Sequence, residues 1–141
     1  MVTLNRVAWM IGGAQGSGVD SSATMFAWAC ANGGLNVYGK REYYSNIKGE
    51  HSYFAIRVEE KTIRSHVDRL DLLATFDAET VVRHAEDVVP EGGIIYDPSL
   101  KNIRLKDIPT LDEDLIQAFQ ARLKSDGGAR TVEQNDVKSP G

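Results

Sequence analysis

Two stretches of this sequence hold residue types that can do chemistry. The first is Gly12-Gly13-Ala14-Gln15-Gly16-Ser17-Gly18, a backbone-permissive run between an apolar segment and a helix-patterned one. A glycine-rich turn that opens a helix lets backbone N–H groups converge on an anion, so it suits phosphate or pyrophosphate. Its spacing departs from the common signatures. A P-loop needs a Lys after its last glycine, and none follows Gly16 or Gly18. The dinucleotide fingerprint needs glycine where Ser21 or Gln15 stands. On spacing alone, a ligand site and a plain strand-to-helix turn both stay open.

The second stretch runs from Tyr38 to Ser52. It holds three cations (Lys40, Arg41, Lys48), three tyrosines and two glycines in fifteen residues. Cations interleaved with hydroxyl and amide donors suit a ligand bearing phosphate or carboxylate. The tyrosines equally suit a subunit interface, and the bland alternative is a solvated loop.

The other candidates are weaker. His51 starts a strand and reads as a residue that shapes the loop by hydrogen bonding rather than one that moves a proton. His66 and His84 read as surface residues, and no two histidines have metal-ligand spacing. Cys30 falls on an apolar helical stripe and reads as a small buried hydrophobe. Trp28 lies off that stripe, facing another subunit or covering the neighbouring helix. Asp97, before Pro98, reads as a turn cap. No Ser/His/Asp or Cys/His arrangement stands out, and no catalytic residue is assigned.

The elements that must position these residues follow from local pattern. Arg6 to Ile11 is apolar on both alternating faces, as in a covered central strand. Val19, Ala23, Phe26, Ala27 and Cys30 fall on one helical face, and Gly33-Gly34 ends that helix. Strands are expected from Leu35 through Val37, from His51 to Glu60, from Leu70 to Thr75, and from Ile94 to Tyr96. In the His51–Glu60 strand, Tyr53, Ala55 and Arg57 share one face while Phe54, Ile56 and Val58 share the other. Asp77 caps a short helix reaching about His84. Pro90 to Gly93 is turn chemistry, and Leu111 to Lys124 is a last helix. Alternating strands and helices predict an α/β fold, a Rossmann-like three-layer αβα sandwich with a mostly parallel sheet. The stretch from 35 to 60 lacks a helix between its strands and predicts one hairpin or an irregular excursion. Ligands of such sheets sit at the carboxyl ends of the strands, which selects Gly12–Gly18, the region after Lys40, Asp77 and Asp97.

Composition bounds the rest. The chain has 141 residues, 42% apolar and 26% charged, enough for one domain with a real core. Residues 1–125 read as that domain and 126–141 as a linker or disordered tail. A net charge of -4 argues against a protein made to bind nucleic acid or an acidic membrane. No apolar run is long enough to span a bilayer, and the amino terminus lacks the pattern of a secretory signal, so the expected location is cytoplasmic. A single cysteine cannot build a disulfide framework, a thiolate zinc site or an iron–sulfur cluster within this chain.

The blocks GGAQGSGVDSSA, VYGKREYYSNIKGEHSYFAIRV, DLLATFDAET and GGIIYDPS, in this order, carry a resemblance. The sequence resembles the gamma domain of 2-oxoacid:ferredoxin oxidoreductases, in particular the archaeal and bacterial type with gamma fused ahead of alpha. The resemblance covers about Arg6 to Ser99. It implies a part of a hetero-oligomeric enzyme that oxidatively decarboxylates a 2-oxoacid with coenzyme A and reduces ferredoxin. It implies that thiamine diphosphate, Mg and an iron–sulfur cluster belong to alpha and beta partner parts. By position, it assigns contact with coenzyme A or the active-site face to Gly12, Gly13, Gln15, Gly16 and Ser17. It assigns the second block to Ser45, Asn46, Lys48, Gly49 and His51, to which the cations Lys40 and Arg41 add phosphate-binding capacity. Lys48 is the sharpest of these, as a flexible ammonium able to meet a carboxylate or phosphate. It further implies that the isolated chain is inactive. Two other classes compete: a stand-alone nucleotide- or NAD-binding domain, for which Glu42 would hold a ribose, and a scaffold subunit whose tyrosines form an interface.

Overall fold

The computed structural model describes residues 5–43, 50–126 and 131–133. Ala8 to Ile11 are buried on both alternating faces, and this segment duly occupies the middle of a six-stranded sheet. The strands are β1 (Val7–Ala14), β2 (Asn36–Tyr43), β3 (His51–Glu59), β4 (Leu70–Thr75), β5 (Val88–Tyr96) and β6 (Thr131–Glu133), in the order β2-β3-β1-β4-β5-β6. β1 pairs in parallel with β4, β4 with β5, and β5 with β6. β3 pairs antiparallel with both β1 and β2. Among the described residues, five strands therefore share one direction and β3 alone opposes it, because β2 and β3 pair antiparallel with each other.

Among the described residues, three α-helices accompany the sheet: α1 (Val19–Asn32), α2 (Ala78–His84) and α3 (Glu113–Asp126). The alternation read in β3 decides which side chain meets which helix. Ile56 and Val58 pack with Trp9, Ile11, Val19 and Ala23, while Phe54, Ala27 and the half-buried Cys30 flank them on the α1 side. Ala55 packs with Met10, Leu70, Leu73 and Ile94 on the α2 side, flanked by Tyr53 and Val81. Full burial of a side chain such as Ile56 or Leu73 contributes roughly 1.5–3 kcal/mol, so the two clusters hold the sheet between its helices.

Several boundaries differ from the sequence reading, among them that of β2, which runs on to Tyr43. β1 continues beyond Ile11 to Ala14, so Gly12 and Gly13 are strand rather than loop. The Pro90–Gly93 turn lies inside β5, where Leu70 pairs with Val88 but Leu72 pairs with Gly93, and the extra residues form an irregularity in the strand. Thr131–Glu133, within the stretch read as a linker, lies alongside Ile94–Tyr96 of β5. Among the described residues, no helix is long and apolar enough to cross a membrane.

Candidate functional site

The shared strand direction puts the carboxyl ends of β1, β2, β4 and β5 on one edge. The start of β3 joins them, since Gly13 pairs with Ser52 and Ala14 with His51. The loop between β1 and α1 is anchored to this edge by backbone. Gln15 N–H donates to Glu50 O at 2.9 Å, and Ser17 N–H donates to Ala14 O at 3.0 Å. Ser52 Oγ donates to Gly13 O at 3.3 Å.

The glycines of the first motif divide into two jobs. Gly16 and Gly18 have φ of 88° and 103°, a conformation that costs other residues about 1–2 kcal/mol. They turn the chain so that α1 starts at the edge with no side chain capping it. Gly12 instead meets α2: a Cβ there would stand 2.5 Å from Thr80 Cγ2. A Cβ on Gly13 would stand 2.8 Å from Ser17 Oγ. Both are buried, so their glycine identity is explained by packing.

Arg41 pairs with Asp20 in the first turn of α1, and its guanidinium lies 4.3 Å over the Tyr43 ring. Arg41 and Asp20, with Gln15, Gly16, Ser21 and Ser52, line a cavity of about 210 Å³ at the uncapped start of α1. Lys40 is one residue away along β2 and projects to the opposite face of the sheet. There it pairs with Glu42, which also accepts a hydrogen bond from Tyr53 Oη at 2.5 Å. Hydrogen bonds from Lys40 and Tyr53 hold the Glu42 carboxyl below its usual range, and the same Glu42 contact raises Lys40. The structure thus places Arg41 beside the glycine loop and Lys40 behind the sheet. Ser45, Asn46, Lys48 and Gly49 lie outside the described residues.

His84, read from sequence as a surface residue, is buried. Its Nε2 lies 3.1 Å from His51 Nε2, and its Nδ1 lies 3.5 Å from an Asp87 carboxylate oxygen. The Tyr53 ring stands edge-on to His84, with centroids 4.6 Å apart. Burial, and then the charge that His84 could carry, push His51 down to about 4. Burial lowers His84 as well, against the pull of Asp87. Two adjacent imidazoles at 3.1 Å share one hydrogen bond comfortably and two positive charges poorly, so the pair is neutral near pH 7. His66, by contrast, is half-buried near the other edge.

The turn after β4 is closed by side chains. Asp77 Oδ1 accepts from Thr80 N–H at 2.9 Å and from Thr80 Oγ1 at 2.7 Å, the expected cap. Glu79 is buried and accepts from Arg83 Nε at 2.7 Å and from Thr110 Oγ1 at 2.6 Å. His51, Asp77 and Glu79 each bring a ligand-type atom within 4.8 Å of the others, but these bonds already occupy the carboxylates. Sequence reasoning missed this cluster. The signals were the spacings Glu79–Arg83 and His84–Asp87, which place partners on one helical face. Asp97 accepts from Ser99 N–H at 2.8 Å and caps its turn as expected. A larger cleft of about 720 Å³ lies at the opposite edge of the sheet, near Arg6, Arg57, His66 and Asp71. Arg6 and Arg57 there are both engaged by Glu59, and none of the described candidate ligand-binding residues lines it.

The chain is similar to known proteins in sequence and in fold. The family pyruvate ferredoxin/flavodoxin oxidoreductase matches residues 8–135. The alpha subunit of 2-oxoacid:ferredoxin oxidoreductase 1 from Sulfurisphaera tokodaii is 40% identical over 127 residues, 90% of this chain and 20% of that protein. The alpha subunit of 2-oxoacid:ferredoxin oxidoreductase from Saccharolobus solfataricus is 42% identical over the same length, again 90% of this chain and 20% of that protein. The chain therefore spans about one-fifth of the length of these curated relatives. Among solved structures, 2-oxoglutarate:ferredoxin oxidoreductase from Magnetococcus marinus, with 2-oxoglutarate, coenzyme A and succinyl-CoA bound, is similar in fold. Its TM-score is 0.65 at 24% identity, over 77% of this chain and 19% of that one. The gamma subunit of a keto/oxoacid ferredoxin oxidoreductase from Geobacter sulfurreducens has a TM-score of 0.60 at 18% identity, over 71% of this chain and 55% of that one.

Proposed function

The chain belongs to the pyruvate ferredoxin/flavodoxin oxidoreductase family, and on that premise we propose that it is the gamma part of a cytoplasmic 2-oxoacid:ferredoxin oxidoreductase, helping to bind coenzyme A and the 2-oxoacid. The observation that carries this reading is the uncapped start of α1. Gly16 and Gly18 expose it at the carboxyl edge, with Arg41 beside it and the Ser45–Gly49 block following β2 in the chain. Coenzyme A bears a pyrophosphate and a 3′-phosphate, which a helix amino terminus and a guanidinium both favour. The Magnetococcus marinus structure of similar fold, which holds coenzyme A, supports the same reading.

The donor set also fits a division of labour. The single cysteine leaves an iron–sulfur cluster to partner parts. Thiamine diphosphate, held with Mg by the alpha and beta parts, supplies the carbanion chemistry when bound. This chain's residues bind and orient. The α1 terminus and Arg41 meet phosphate, Lys48 meets a carboxylate or phosphate, and the neutral His51–His84 pair anchors the strand that follows the Lys48 block. Arg41 would exchange Asp20 for the ligand anion, a cheap exchange because the exposed pair contributes little.

The test is Lys48→Ala in the assembled enzyme with ferredoxin as acceptor. Losing a charge-assisted hydrogen bond worth about 1.5–3 kcal/mol raises the KM for coenzyme A or for the 2-oxoacid roughly 10- to 100-fold. Unchanged values for both substrates would favour a scaffold subunit instead. The isolated chain is expected to show no turnover.

A further inference from the structure

Helix α1 is not built like a helix that faces water. Of its fourteen residues only Asp20 is charged, whereas α3, of the same length, carries five charged residues. One side of α1 is accounted for, since Val19 and Ala23 are buried against the sheet. The other side presents Met25 at 67% exposure and Trp28 at 70%. Large apolar side chains left exposed on a helix with one charge form a patch, and exposed apolar patches mark interaction surfaces. Ser21, Thr24 and Ala29 between these large side chains are small, so another surface can come close to the backbone.

The patch has a shape and a neighbour. Met25 and Trp28, with Asp20, Ser21 and Thr24, line an open trough of about 370 Å³. Asp20 and Ser21 also line the cavity at the glycine loop, so trough and candidate site form one continuous surface. Whatever covers the trough therefore also borders the uncapped start of α1.

We propose that this outer face of α1 docks the alpha portion of the oxidoreductase, through an apolar surface on that portion that takes up Met25 and Trp28. The proposal rests on the family membership and not on which ligand the glycine loop holds. In the relatives at 40% and 42% identity, about four-fifths of the subunit lies outside the matched region. That mass must meet this domain somewhere. The charged residues of α3 suit water, and α1 is the helix whose composition calls for burial. Docking there also closes the candidate site from one side, so loop and partner would share the ligand.

The test uses the assembled wild-type enzyme and hydroxyl-radical footprinting. Met10, which is 5% exposed, serves as the internal buried standard. Docking predicts that Met25 is oxidised as slowly as Met10, and that Trp28 is protected with it. Oxidation of Met25 ten or more times faster than Met10 overturns the proposal. A photo-reactive phenylalanine derivative in place of Trp28 then identifies the occupant. Cross-links into the alpha portion support the proposal. Cross-links only into a second copy of this domain, into the beta part or into ferredoxin overturn it, as does the absence of any cross-link to alpha. The Lys48→Ala kinetics are read separately: a raised KM alongside a reactive Met25 removes the docking proposal and leaves the function standing.

Discussion

Helices α1 and α2 both leave the carboxyl edge of the sheet, and they begin in opposite ways. α2 is closed by its own side chains: Asp77 caps it, Thr80 fills the space over Gly12, and Glu79 ties Arg83 to Thr110. α1 begins after two glycines of positive φ, with no side-chain cap. Its neighbour Arg41 is held by an exposed ion pair and an aromatic ring, both easily exchanged. Glycine and charge motifs thus divide by what they touch. Where polar groups are satisfied internally, residues serve the fold. Where a helix starts without a side-chain cap beside a cation held only by an exposed ion pair and a ring, residues can serve a ligand.

Four measurements break or sharpen this contrast. The largest effect is expected from Gly12→Val, because its side chain collides with Thr80 where α2 crosses β1. Overpacking of that kind costs about 3 kcal/mol, read as a lower denaturation midpoint, and Thr80→Ser in the same chain recovers part of it. A neutral Gly12→Val would mean that α2 is not held by this close approach.

Acid comes next. His51 and His84 have folded values below the ordinary 6.5, His51 about 4, so the unfolded chain binds more protons between those limits. Stability is fully present above about pH 6.5 and falls as pH drops toward about 4, by at most about 1.4 kcal/mol per pH unit for each extra proton bound. Thermal unfolding across this window checks it, and His84→Gln should flatten the slope.

Asp77→Ala removes the α2 cap and should cost about 1–2 kcal/mol, with Asp77→Asn retaining most of it. The smallest effect on stability belongs to the α1 side. Arg41→Ala should change unfolding by no more than about 0.5 kcal/mol, while weakening coenzyme A binding to the assembled enzyme. A large stability loss from Arg41→Ala, or unchanged coenzyme A affinity, would erase the distinction between the two helix starts.

Much of this was legible from sequence because the governing interactions are local. The alternation in His51–Glu59 named the two faces of the sheet correctly, and Asp77 was readable as a cap because its partner Thr80 is three residues away. The hairpin was legible from the missing helix between two strands. The errors have a common origin. Gly12 was read as loop because nothing local reveals that Thr80, on a helix after β4, packs against it. His84 was read as surface because its partner His51 is thirty-three residues away and joins it only when α2 lies on β3. Lys40 and Arg41 were grouped as neighbours, although strand alternation sends them to opposite faces. That separation was available in principle, once β2 was known to reach Tyr43.

The type of each element and the residues that share its face follow from periodicities of two and 3.6 residues, which depend on residues close in the chain. The pairing of His51 with His84, the closing of α2 and the opening of α1 depend on which side chains meet across strands. Such meetings are set by sheet register and by how closely a helix can approach, and both arise only when the whole core packs. The helical spacing already set Trp28 off the apolar stripe of α1, facing another subunit or covering the neighbouring helix. The fold decided which side the sheet would cover, and so left Met25 and Trp28 facing outward beside the site.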